Sequence, residues 1–211
     1  VSSHGQAFGR WLDAVVGGGV ALVAATVVPQ APLRRPRVAA AAIVRKLADV
    51  LRGAASVGAS ADVDRAARVL ASARDSDRGI RDLQEAADEG LSVVTSSPFR
   101  RAHREGVRTV ADIIEPLDRA VRSSRVLARR IAVSAGRGNQ LPAAYLQCLT
   151  NLADAVDLLG QVLATNQAAA GGRPALLRVA EETGTLARTE DLSAEVVLAQ
   201  TRAMVVDLLQ L

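Results

Sequence analysis

The chain predicts an all-α fold: an antiparallel helical bundle of about five to six helices, preceded by one apolar helix that reads as a transmembrane span. Three observations carry this. Apolar residues recur at spacings of three and four over long stretches. Prolines and glycines gather between those stretches rather than inside them. Alanine, valine and leucine dominate, while only 2% of the residues are aromatic, and no alternating strand pattern of useful length competes. No internal repeat of fixed period is present. Of the 211 residues, the roughly 180 that follow the apolar segment suffice for one sizeable core, so the chain divides into a membrane region, 1–33, and one helical domain, 34–211.

The first element is the apolar run from Trp11 to Val28. As a helix it would be about 27 Å long, just short of the roughly 30 Å hydrocarbon thickness of a bilayer. Gly17, Gly18 and Gly19 suit a lipid-embedded helix packed closely on neighbours, because small residues let backbones approach where larger apolar side chains gain nothing over lipid. Trp11 stands where an interfacial aromatic would. Arg34, Arg35 and Arg37 on the far side outnumber Arg10 on the near side, which places the remainder of the chain in the cytoplasm. These three arginines are candidates for contact with anionic lipid head groups, at about 1 kcal/mol each. A signal peptide is the weaker reading, since the run lacks a start methionine and a basic n-region. The competing reading is a buried, glycine-rich helix of a soluble domain.

Pro29, Pro32 and Pro36 are expected to end that helix, and the next runs from Arg37 to about Ser56 with Ile43, Leu47, Val50, Leu51 and Ala54 on one face. Ser60 is a candidate N-cap, with Asp62 and Asp64 in the first turn of the helix it opens. That helix carries Val63, Ala67, Leu70, Ile80, Leu83 and Ala87 to Gly90, with a weak middle at Asp75 to Gly79. Ser97-Pro98 signals a further start, and the helix after it is expected to run unbroken to Ala135, at about 57 Å the longest element. Its apolar seam is Val107, Val110, Ile114, Leu117, Val121, Ala128 and Ile131, with a kink at Pro116. Tyr145, Leu149, Leu152, Val156, Leu159 and Leu163 mark the next helix, between Pro142 and Gly171-Gly172. Pro174 opens another, and a break at Thr189 to Asp191 precedes the last, with Val197, Met204, Leu208 and Leu211 on one side.

Three of these pieces stand in one order: an Asp13-x-x-x-Gly17-Gly18 span ending at Pro29 to Pro32, a basic juxtamembrane helix, and the run Leu117-Asp-Arg-Ala-Val-Arg-Ser-Ser-Arg-Val-Leu-Ala-Arg-Arg130. Together they resemble the fusaric acid resistance or aromatic acid exporter family. The resemblance implies a group of membrane helices followed by a cytoplasmic helical domain, in the bacterial inner membrane, with efflux of aromatic carboxylic acids and related small organic compounds. With a single spanning segment this chain cannot contain a translocation pathway. It would be the last span plus the cytoplasmic domain, partnered by lipid and by upstream transmembrane helices of the same protein, and it leaves a homo-oligomer open.

Individual residues narrow the chemistry. Asp13, with Arg10 as its partner, is a candidate for transport or proton coupling because it is ionisable and near membrane depth; an interfacial residue in contact with water is the plainer reading. Arg108, Arg119, Arg122, Arg129 and Arg130 fall away from their helix's apolar seam, and Arg119, Arg122 and Arg129 form a candidate anion-contacting face. A solvated face is the commoner cause. The net charge is +4, with Lys46 the single lysine, an arginine skew that hints at a GC-rich bacterial genome. Nucleic acid is disfavoured, because almost no aromatic residues offer base stacking and acidic residues are interspersed. His4, His103 and Cys148 show none of the close spacings of a metal site, and Cys148 alone suits a reducing compartment. Gly17-Gly-Gly19 lacks the Lys and Ser/Thr of a phosphate loop, and no nucleophile-elbow spacing exists. No catalytic residue, metal or cofactor is called for, and an enzyme is not expected.

Overall fold

The computed structural model describes residues 31–95, 104–165 and 172–211, with side chains at 35–92, 108–164 and 172–211. Seven helices make up this described part: α1 (Ala31–Ser60), α2 (Val63–Thr95), α3 (Arg104–Asp112), α4 (Ile114–Gly136), α5 (Ala143–Thr165), α6 (Gly172–Thr185) and α7 (Leu192–Leu208). The protein is an all-α bundle, as the periodicity predicts. No helix among the described residues is long and apolar enough to cross a membrane, and the run from Trp11 to Val28 lies outside them, as do Pro29 and Ser97-Pro98.

α1 is described from Ala31, six residues before the expected start, and carries Pro36 inside it. Proline removes one N–H and crowds the carbonyl four residues back, which bends a helix but does not end one whose flanks are held by packing; the Pro36 ring is itself buried. At the other end α1 turns into α2 through Ala61 and Asp62. Ala61 takes the left-handed conformation, φ 53°, a conformation that costs a non-glycine residue roughly 1–2 kcal/mol. Ser60 donates to the Ser56 carbonyl at 3.0 Å and so finishes α1. The N-cap of α2 is Asp62, not Ser60: its carboxylate accepts from the Arg65 N–H at 2.9 Å, the bond an N-cap makes to the third helical residue.

α2 is unbroken for 33 residues, about 50 Å, and is the longest described element. The expected weak middle is instead where α2 meets its neighbours. Asp75 accepts from Lys46 of α1 at 2.6 Å and from Arg78, Ser76 is buried, and Ile43 of α1 packs directly over Gly79. Charge and glycine that look like loop composition are satisfied across a helix–helix contact.

The helix expected to run to Ala135 is interrupted at Ile113, between α3 and α4. Pro116 is the cause, one turn earlier than its own position, because its missing N–H leaves the Asp112 carbonyl without a helical partner. Leu117 still donates to the Ile113 carbonyl at 3.1 Å, so α4 starts at once. Of the expected seam, Val110, Leu117, Val121, Ala128 and Ile131 are buried and Ile114 is half-buried; the Val107 side chain is outside the description. α4 ends at Gly136, followed by Gly138 at φ 72°, a conformation that glycine adopts freely.

α1 is the centre of the packing and lies against α2, α4 and α5. Gly58 faces Leu141 and Leu146 while Gly160 faces Val44 and Arg45, so α1 and α5 run antiparallel. α7 closes the far side against α4, and α6 bridges α5 and α7. One continuous core joins them, with Leu47 and Leu51 of α1, Leu83 of α2, Leu117, Leu127 and Ile131 of α4, Leu149 and Leu152 of α5, Leu176 of α6 and Met204 and Leu208 of α7 fully buried. The faces expected for α5 and α7 hold: Tyr145, Leu149, Leu152, Val156 and Leu159 are buried, as are Val197, Met204 and Leu208, while Leu163 and Leu211 at the helix ends are half-buried.

Candidate functional site

Arg10 and Asp13 lie outside the described residues, as do His4 and His103. Arg34, Arg35 and Arg37 sit on the first described turns of α1. The Arg35 guanidinium donates to Glu89 of α2 at 2.8 Å in an exposed ion pair, worth up to about 1 kcal/mol, while Arg37 is half-buried and the Arg34 side chain is not described.

Arg35 also stands at one end of a groove of about 730 Å³ between α1 and α2. Val38, Ala39 and Ala42 line it from α1, and Asp82, Glu85, Ala86 and Glu89 from α2. On each helix the lining residues are spaced i, i+3, i+4, i+7, the spacing of one face. The floor is apolar and small, and the α2 rim is acidic. Among the described residues Asp82 and Glu85 form no ion pair. The α2 half of this groove is readable as a stripe in the sequence; its pairing with Val38 and Ala42 requires the hairpin.

The predicted arginine face of α4 divides in two. Arg119 is drawn into the bundle end, where it donates to Asp207 of α7 at 2.8 Å, to Glu115 at 2.7 Å and to Gln210. The bond to the largely buried Asp207 is the main reason the Arg119 guanidinium holds its proton even more firmly than usual. Arg122 pairs with Asp118 one turn back and lines a polar cleft of about 400 Å³ with Arg81, Gln84, Asp77 and Arg125. Arg129 and Arg130 are exposed and form no ion pair among the described residues. Between them Val126 and Val133 are 43% and 38% exposed, so the outer face of α4 is a ridge of arginine interleaved with valine.

A polar cluster that the sequence does not announce ties the α6–α7 connection to α5. The Tyr145 hydroxyl lies 2.8 Å from Glu195 and 2.7 Å from the Ala187 carbonyl. Glu195 also accepts the Thr189 N–H at 2.7 Å, and Arg202 donates to the Thr183 carbonyl. The Thr189 N–H, then Tyr145, hold the Glu195 carboxyl below its ordinary range. Burial, with Glu195 beside it, pushes Tyr145 up to about 12. Cys148, one turn along α5, is buried, and burial pushes its thiol up to about 12. A group that keeps its proton this firmly is a poor nucleophile at neutral pH. Among the described residues no three His, Cys, Asp or Glu side chains gather as a metal site would require.

Arg52 completes the charged framework by joining α1 to α5 through Asp154 at 3.1 Å and Asp157 at 3.2 Å. Arg125 does the same between α4 and Asp77 of α2. Such pairs orient the helices and contribute little each.

No family model matches the chain, and no solved structure matches it. It is similar to an uncharacterized protein of Corynebacterium glutamicum, 29% identical over 214 residues that cover 98% of this chain and 55% of the relative. The chain therefore spans about half the length of the curated relative it matches, and the likeness extends across the apolar segment as well as the bundle.

Proposed function

We propose that this chain is the terminal span and cytoplasmic helical domain of a bacterial inner-membrane efflux protein for small aromatic or organic acids. Residues 1–33 form the last span and its flanks, and residues 34–211 assemble or regulate the transporter rather than perform chemistry. The observation that carries the reading is the apolar run from Trp11 to Val28 with Arg34, Arg35 and Arg37 directly after it, a charge order that keeps the helical domain on the cytoplasmic side. The resemblance to aromatic acid exporters supplies the transport content. A relative with nearly half its length outside the match leaves room for the further spans such a protein needs.

The test is membrane partitioning. The chain is expressed in bacteria beside a version starting at Ala31, which keeps all of α1, and the membranes are washed with carbonate. The longer chain is expected to remain in the washed membranes while the shorter is released. Release of both chains would end the membrane reading and leave a soluble helical interaction domain. For transport, Asp13→Asn in the whole protein is expected to lower efflux at unchanged expression; normal efflux would remove Asp13 from the mechanism.

A further inference from the structure

The groove between α1 and α2 and the ridge on α4 are complementary in three respects. The groove has a floor of small apolar side chains, Val38 being 56% exposed, and an acidic rim at Asp82 and Glu85. The ridge presents Val126 and Val133, flanked by Arg129 and Arg130. Ridge positions 126, 129, 130 and 133 fall within roughly 100° of arc at 3.6 residues per turn, a single stripe about two turns long. The groove is lined over two turns of each wall, a length that such a stripe can occupy. Exposed valines stand at both places, Val38 in the groove and Val126 and Val133 on the ridge.

The two surfaces cannot meet within one molecule. Ala128 of α4 packs with Ala73 of α2 and Val50 of α1, whereas the groove is centred near Ala86, 13 residues further along α2 or about 20 Å, where α2 lies beside α1.

We infer that the α4 ridge of one copy docks into the α1–α2 groove of the next, so that the protein self-associates head to tail through two different surfaces. Val126 and Val133 lie on the floor made by Val38, Ala39 and Ala42, and Arg129 and Arg130 pair with Asp82 and Glu85. Such a contact is heterologous and closes into a ring or runs open according to the rotation between copies. A helix stripe in a shallow groove buries less than the ~1,600 Å² of a standard interface, which puts the contact in the size class of weak, transient associations. It is also weakened by salt, because its charges are exposed. The inference rests on the bundle alone and is independent of the transport reading.

The test uses the complete chain, in mild detergent if it partitions into membranes and in buffer if it does not, followed by sedimentation equilibrium across the micromolar to submillimolar range. One variant carries Asp82→Arg and Glu85→Arg; the other carries Arg129→Glu and Arg130→Glu. All four side chains are exposed, and circular dichroism checks that both variants keep the fold. Each variant alone is expected to need at least about tenfold higher concentration to associate. An equimolar mixture is expected to recover association, because the reversed groove of one fits the ridge reversed in the other. A monomeric wild-type chain throughout the range, variants that associate like wild type, or a mixture no stronger than its components would each overturn the proposal.

Discussion

Gly79→Ala tests the contact at the heart of the α1–α2 hairpin. A Cβ placed on Gly79 would lie 2.9 Å from Ile43 Cγ1, and Ile43 is buried, 4% exposed, in the main core. Cγ1 is bonded to Cβ, so it can clear the new methyl group only if χ1 leaves the rotamer that a β-branched residue strongly prefers in a helix or if the helix itself shifts. Two opposing effects decide the result. Alanine for glycine inside a helix gains about 0.5–1 kcal/mol in propensity. Forcing a methyl group into a filled contact costs about 1–3 kcal/mol. The overlap should win, with a net loss of about 1 kcal/mol, or roughly 2–4 °C in Tm for a chain of this size. Gly184→Ala is the control. Nothing lies within 4 Å of its added Cβ, so only the propensity term remains and a gain of a few tenths to about 1 kcal/mol is expected. The assay is urea unfolding followed by circular dichroism, with Ile43→Ala as the second arm of a double-mutant cycle, in which the cost of Gly79→Ala should largely disappear. If Gly79→Ala stabilises the protein as much as Gly184→Ala does, α1 and α2 do not cross at this residue and the hairpin has a different register.

Other substitutions probe the core and the polar cluster. Leu152→Ala, at a side chain with no exposure, should cost about 2–5 kcal/mol in urea unfolding, whereas Leu192→Ala, 73% exposed, should stay within about 0.5 kcal/mol. Tyr145→Phe removes the hydroxyl that lies against Glu195 and Ala187; a loss of about 1 kcal/mol is expected, with faster amide exchange at Thr189 than in α4, and unchanged exchange at Thr189 would show that the cluster does not hold the connection. Because Glu195 has a lower pKa folded than unfolded, the folded state binds fewer protons there. Its contribution is therefore present above the ordinary glutamate range and lost as pH falls through the depressed value. Glu195→Gln should flatten the acid limb of stability measured by urea titration. Cys148 has the opposite sense: raised from 9.0 to about 12, it contributes stability that is present below pH 9 and lost as pH rises toward 12, so Cys148→Ala should flatten the alkaline limb.

Helices were legible because their signals are local. The three-and-four spacing of Leu149, Leu152, Val156 and Leu159 identifies a buried face without knowledge of what buries it, and Pro142, Gly136 and Gly138 mark ends by their own backbone chemistry. The same locality explains the errors. Asp75 to Gly79 has the composition of a loop, and only Lys46 and Ile43, about 30 residues away, make it continuous helix. Ser60 and Asp62 are both competent caps, and the geometry of the turn through Ala61 chooses Asp62.

Function follows the same division. The all-α class, the buried faces of α5 and α7, the basic cluster after Trp11 to Val28 and the surplus of arginine on α4 are legible in the chain, because each depends on residues within a few turns of one another. Which charges are tied into the bundle and which face solvent depends instead on how the helices pack. Arg119 is committed to Asp207, 88 residues away, while Arg129 and Arg130 face outward beside exposed valines. The packing also brings the stripe Asp82, Glu85, Glu89 opposite Val38 and Ala42 to make a groove, and Tyr145 within reach of Glu195. Pairings of this kind depend on how helices dock, and docking is governed by the fit of whole faces, which periodicity along one helix does not encode.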